Sequence, residues 1–183
     1  MKTYVVLMCF LLFGCTYQPV DVVNSGLHNI DPNAKCKWNG PLPDQKCSPG
    51  EAFPLQTIQV NGIAQADPPS VIVGDICEKG YSKNIRSVSE KTKKLVYAEY
   101  GVLSRSTGEY EVDHIIPLEL GGTNDIENLY PQPAEPRPGF HEKDVVENCL
   151  HRLVCKGTMK LVDAQQLIAQ NWTKGLDVCG VVS

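Results

Sequence analysis

No two cysteines in this sequence are spaced as a CxxC pair, so a zinc finger or ribbon, which needs close thiolates, is set aside. Internal repeats are absent as well, which removes the solenoid and propeller classes. Beyond residue 14 no stretch approaches the roughly 20 apolar residues that span a bilayer. Positive charge is also in short supply: 17 Lys and Arg face 21 Asp and Glu, a net charge of −4. A chain with that balance is not a globally basic nucleic-acid binder, and any grip on phosphate has to come from a local concentration of charge.

What is present fits one globular core: 183 residues, 42% of them hydrophobic. Met1 to Cys15 give one positive charge, a short apolar run and then small Gly14, the pattern of a secretory signal over residues 1–14. Leu12-Phe13-Gly14-Cys15 resembles a lipobox, which makes Cys15 the expected lipidated first residue of an exported, periplasmic or outer-membrane-anchored lipoprotein. Loss of Lys2 leaves 16 basic against 21 acidic residues, net −5. Six cysteines then remain: Cys36, Cys47, Cys77, Cys149, Cys155 and Cys179. Behind an export signal an even number implies disulfides, with about 15 pairings that spacing alone does not resolve. The pairing adopted as an expectation is Cys36–Cys47, Cys77–Cys155 and Cys149–Cys179.

Residues 15–72 read as an irregular, Pro- and Gly-rich lead-in, with Asn39-Gly40-Pro41 and Asp67-Pro68-Pro69 as turn chemistry. Within it, Thr57 to Val60, Asn61-Gly62 and Ile63-Ala64 predict a small hairpin. The compact domain is expected over 73–183. Between Cys77 and Arg105 seven basic residues (Lys79, Lys83, Arg86, Lys91, Lys93, Lys94, Arg105) face three acidic ones (Glu78, Glu90, Glu99), so positive charge gathers here. A helix is predicted after Ser89 and before Gly101, with Lys91, Lys93 and Lys94 on its polar side.

Tyr110 to Ile116 alternate as a strand, Gly121 to Asp125 form a turn, and Ile126 to Tyr130 make a second strand. Four prolines between Pro131 and Gly139 predict irregular chain. Residues 140–155 form a helix with Val145, Val146, Cys149, Leu150, Leu153 and Val154 on one side and His141, Asp144, Asn148 and His151 on another. A last helix runs from Leu161 to Trp172.

Asp113-His114-Ile115-Ile116-Pro117-Leu118, then Gly121-Gly122, then Asp125-Ile126-Glu127-Asn128-Leu129 resemble the first two motif segments of the HNH endonuclease family in residue type and spacing. The flanks, through Cys77, Gly80-Tyr81, Tyr97 to Gly101 and Lys143 to Cys155, resemble a secreted bacterial HNH group. The resemblance covers residues 76 to 172. It implies an α+β fold: a small ββα-metal core with flanking helices, preceded by the irregular disulfide-bearing region.

The family's chemistry implies His114 as general base, Asn128 orienting His114 or its loop, and Asp113 as a carboxylate ligand to one divalent metal, Mg²⁺ or Mn²⁺ before Zn²⁺ or Ni²⁺. The helix-side ligand is expected at His141, with Asp144 one turn on as the alternative. Here the sequence departs from the family through its proline-rich insertion. Lys91, Lys93, Lys94 and Lys143 are the expected nucleic-acid contacts. His151 reads as structural, and Lys143–Glu147 as a surface pair at i,i+4. The resulting expectation is a monomeric, exported, metal-dependent endonuclease of low sequence specificity, acting on DNA rather than RNA. The alternative is a non-enzymatic envelope lipoprotein that retains the fold as a binding module.

Overall fold

The computed structural model describes residues 30–53 and 73–181. The signal segment, Cys15 and the hairpin expected at residues 57–64 lie outside the described residues. Six helices and two strands follow in the order α1 (Val73–Ile76), α2 (Tyr81–Ile85), α3 (Glu90–Glu99), β1 (Tyr110–His114), β2 (Leu129–Pro133), α4 (Phe140–Cys155), α5 (Leu161–Asn171) and α6 (Lys174–Cys179). The fold is α+β. Among the described residues no helix is long and apolar enough to cross a membrane.

α3 begins where the sequence places it, with Ser89 Oγ accepting from the Thr92 N–H at 3.1 Å and so satisfying one of the free donors of the first turn. The chain leaves the helix through Gly101 at φ +70°; a Cβ there would sit 2.6 Å from Ala34 Cβ, so both conformation and space require glycine.

The second strand differs from the sequence expectation. Ile126–Asn128 form a 3₁₀ turn, and β2 runs on through Pro131 and Pro133 into the stretch whose prolines predicted irregular chain. Register explains it. Pro131 lies opposite Val112 and Pro133 opposite Tyr110, while the bonds next to them run from Ile115 N to Asn128 O and from Ala134 N to Glu109 O. Both prolines therefore occupy positions where the ladder asks for no N–H, and in a two-stranded sheet the missing donors face away from the partner.

Two apolar clusters hold the sheet. Ile116, Leu120, Val146, Leu150, Ala164, Ile168 and Trp172 unite α4, α5 and the loop after β1. Tyr97, Tyr100, Tyr110, Tyr130 and Cys36 form an aromatic cluster beneath α3. Val145, expected on the apolar face of α4, is 49% exposed; the buried stripe of that helix turns through Val146, Cys149, Leu150 and Val154. α6, with no counterpart in the sequence reading, closes on α4 and α5. Disulfides join Cys36 to Cys47, Cys77 to Cys155 and Cys149 to Cys179, the same pairing adopted from the sequence.

Residues 30–53 are not a loose lead-in. Gly50 N donates to Glu127 O, Phe53 N to Gly121 O and Thr123 N to Glu51 O, so this segment lies along the loop that joins the two strands.

Candidate active site

Antiparallel register puts Glu111 opposite Gln132 and Asp113 opposite Tyr130, so Glu111 and Asp113 share one face of the ribbon. Tyr110 and Val112 alternate to the other face. β1 ends at His114, which lies opposite Leu129.

His114 is 1% exposed. Its Nε2 lies 3.2 Å from Asn124 Oδ1. The amide of Asn124 is oriented by the backbone: its Nδ2 donates to Ile85 O at 2.8 Å and its Oδ1 accepts from Ser87 N at 3.1 Å. An oxygen therefore faces the imidazole, so Nε2 is the protonated nitrogen and Nδ1 carries the lone pair. Burial pushes the His114 pKa below its ordinary 6.5, against the opposing pull of Asp113 and the Asn124 bond. The ring is neutral at neutral pH.

Asn128 is fully buried and acts on the loop. Its Oδ1 accepts from Ile116 N at 2.9 Å and Glu51 N at 3.0 Å. Its Nδ2 donates to Ile116 O at 2.9 Å and Thr123 O at 2.8 Å. All four bonds go to backbone, and none to His114. The turn it clamps is built on Gly122, where a Cβ would stand 1.8 Å from Ile116 O.

Lys143 falls elsewhere than the sequence reading put it. The nucleic-acid contact expected at this position is corrected by burial, since the residue is 1% exposed and turned inward. Its Nζ donates to Asp113 Oδ2 at 2.6 Å and to His114 O at 2.7 Å, and pairs with Glu147. Burial alone would depress this ammonium, but Asp113 and then Glu147 outweigh it and hold the pKa above its usual range. The i,i+4 pair read as a surface feature is thus internal. Lys91 and Lys94 are exposed on α3, while Lys93 pairs with Glu90 at 2.8 Å.

Carboxyl groups outnumber cations around Asp113. Burial, then the charges of Asp113 and Asp144, raises Glu111 to about 7. Burial and Asp113 raise Asp144. Burial, with Asp113 a further contributor against the pull of Lys143, raises Glu147 to about 8. Glu119 is raised by burial, and its Oε1 is buried with no hydrogen-bond partner. His141 is exposed on α4 with its ring 4.2 Å from that of Phe140.

Among the described residues, the trio whose ligand atoms lie within 4.8 Å of one another is Cys77, His151 and Cys155. Two of these are spent in a disulfide. Asp113, His141 and Asp144 are not gathered into such a cluster. The donor chemistry nevertheless fits a hard divalent cation: an excess of half-buried carboxyl groups, mutually repelled, with one orphaned carboxyl oxygen.

Asn124, Glu111 and the inward turn of Lys143 carry no site role in the sequence, where Arg86 figures only in the local basic stretch. Asn124 stood in plain view within Gly121 to Asp125, but as turn chemistry. Only its approach to His114 reveals the second role.

Residues 103–131 match the family model described as HNH endonuclease. No curated protein and no solved structure matches the chain. The matched stretch holds β1, the Asn128-clamped loop and the start of β2. Over residues 103–131 the chain therefore carries a match to the HNH endonuclease family, set in an α+β fold.

Proposed function

We propose that this protein is an exported, metal-dependent endonuclease that hydrolyses DNA phosphodiester bonds with little sequence preference, with His114 as general base. The observation that carries the reading is the HNH segment itself, with its His114 kept neutral by burial and held in one tautomer by Asn124. His114 Nδ1 takes a proton from the attacking water, oxygen adds to phosphorus, and the 3′ oxygen departs. The Asp113 carboxylate beside the ring favours the imidazolium that results. Asp113, with Asp144, Glu111 or His141, would hold a divalent cation, which when bound would supply charge neutralisation at the phosphate and the leaving oxygen. Asn128 and Gly122 keep the loop in shape.

Export and lipidation at Cys15 rest on the sequence of residues 1–15. Recovery of the full chain in the membrane fraction, lost in Cys15→Ser, tests them.

Plasmid nicking by the purified mature protein in Mg²⁺ or Mn²⁺, abolished by EDTA and by His114→Ala, is the expected result. Full activity in either case overturns the reading. One observation favours a second reading, a non-catalytic binding module: the α4 side chain that meets Asp113 is an ammonium rather than a metal ligand. DNA binding without cleavage across a panel of divalent metals decides for it.

A further inference from the structure

Beside the candidate site, between α3 and the start of β1, lies an open cleft of about 430 Å³ whose lining includes Arg86, Lys93, Tyr97, Arg105 and Glu111. Its inner end adjoins the site. Glu111 shares the ribbon face of Asp113, and the charge of Arg86, at the C-terminal end of α2, reaches His114, Glu111 and Asp144. Its outer part carries Arg105, whose guanidinium lies 3.7 Å from the centre of the Tyr97 ring. The buried tyrosine thus gives that side chain a fixed platform. Lys93 completes the wall, bonded to Glu90.

The cleft is the part of the basic stretch between Cys77 and Arg105 that meets the site. Lys94 lies outside the cleft, in an adjoining recess that shares Tyr97 and Arg105 with it, and Lys143 is sealed inside. Guanidinium groups suit the task better than lysines, because their planar fork matches two oxygens of one phosphate.

We propose that this cleft is the DNA track of the enzyme: Arg86 and Arg105 hold backbone phosphates flanking the one that is cut, with Lys93 as a weaker outer contact. The inference rests on reading the site as one that acts on DNA, and it assigns grip to two arginines in place of the lysines of α3. Glu90 and Glu111 also line the cleft, so its net charge is modest. Binding through it is therefore weak, salt-sensitive and indifferent to base sequence.

The test uses full-length mature protein carrying His114→Ala, in EDTA, and a short fluorescein-labelled DNA duplex followed by fluorescence anisotropy between about 50 and 200 mM salt. Arg86→Gln and Arg105→Gln are compared with the charge-matched control Lys156→Gln, and circular dichroism checks that each is folded. Each arginine substitution should weaken binding several-fold and lower the slope of log K on log salt by about 0.9, while Arg105→Lys recovers part of the loss. Unchanged slopes, an equal loss in the control, or no binding at low salt by the His114→Ala protein would overturn the proposal. The two readings fail separately. Wild-type protein that nicks plasmid while both arginine variants bind normally sinks the track alone, whereas arginine-dependent binding without any cleavage sinks the nuclease reading alone.

Discussion

Lys143 Nζ lies 2.6 Å from Asp113 Oδ2, and that contact organises the interior of the site. The ammonium also holds His114 O and Glu147, so one helix side chain ties α4 to the end of β1 and fixes the backbone from which His114 extends.

Removing this cation should therefore cost more than a surface ion pair does. Lys143→Met leaves Asp113 and Glu147 buried and facing each other, and the expected loss is about 3 to 5 kcal/mol, read from urea unfolding. Lys143→Met/Asp113→Asn/Glu147→Gln, with no buried charge left at this point, should recover much of it. A Lys143→Met protein as stable as wild type contradicts the buried pairing.

Asn124→Ala frees the His114 ring to adopt either tautomer. Its kcat should fall by about 10-fold to 100-fold, the range for a residue that orients an active group. The Asn124 bond supports the protonated ring, so the acid limb of the pH–rate profile should also move to lower pH. A purely structural role lowers activity without moving that limb.

The pH dependence of stability has a definite sign. Glu147, held by burial near 8, and Glu111, held by burial near 7, both lie above the ordinary 4.5. A folded-state pKa raised in this way contributes stability that is complete below 4.5 and is lost as pH rises through the folded values. In EDTA the urea midpoint should fall between pH 4.5 and about 8, and Glu147→Gln should flatten that fall. Mn²⁺ should raise the midpoint most at the alkaline end, where the carboxylates are ionised. A midpoint that climbs across this window refutes the assignment.

Asn128→Ala removes four bonds to buried backbone groups. At about 1 kcal/mol or more for each unsatisfied group, the fold should lose roughly 3 kcal/mol. Gly122→Ala should be as damaging, because its Cβ meets backbone that cannot yield. Thermal melts of both variants test this, and a loss in either below about 1 kcal/mol removes Asn128 from its role as the loop's clamp.

Much of the plan was legible along the chain. Ser89 and Gly101 bound α3, Asp113-His114 end a strand, and Gly121-Gly122 turn the loop, because caps, glycines and alternation act over a few residues and leave a local mark. Asn128 was legible as a residue that orients something, since an amide with two donors and two acceptors suits a clamp. Its bonds to Ile116, Thr123 and the distant Glu51 in place of the imidazole appear only in the folded loop.

The prolines of β2 misled for the same reason. Proline forbids a hydrogen bond only where one is required, and register across the ribbon decides where that is. Lys143 makes the point most sharply. A lysine one residue from Asp144 on an amphipathic helix reads as a phosphate contact or a surface pair, and nothing local says otherwise. Its sequence supplied a cation on α4, a carboxylate at the end of β1 and a second carboxylate one turn on. Only packing α4 against β1 buried them together, and in that low-dielectric setting a lone charge is so costly that the lysine had to turn inward to its partners.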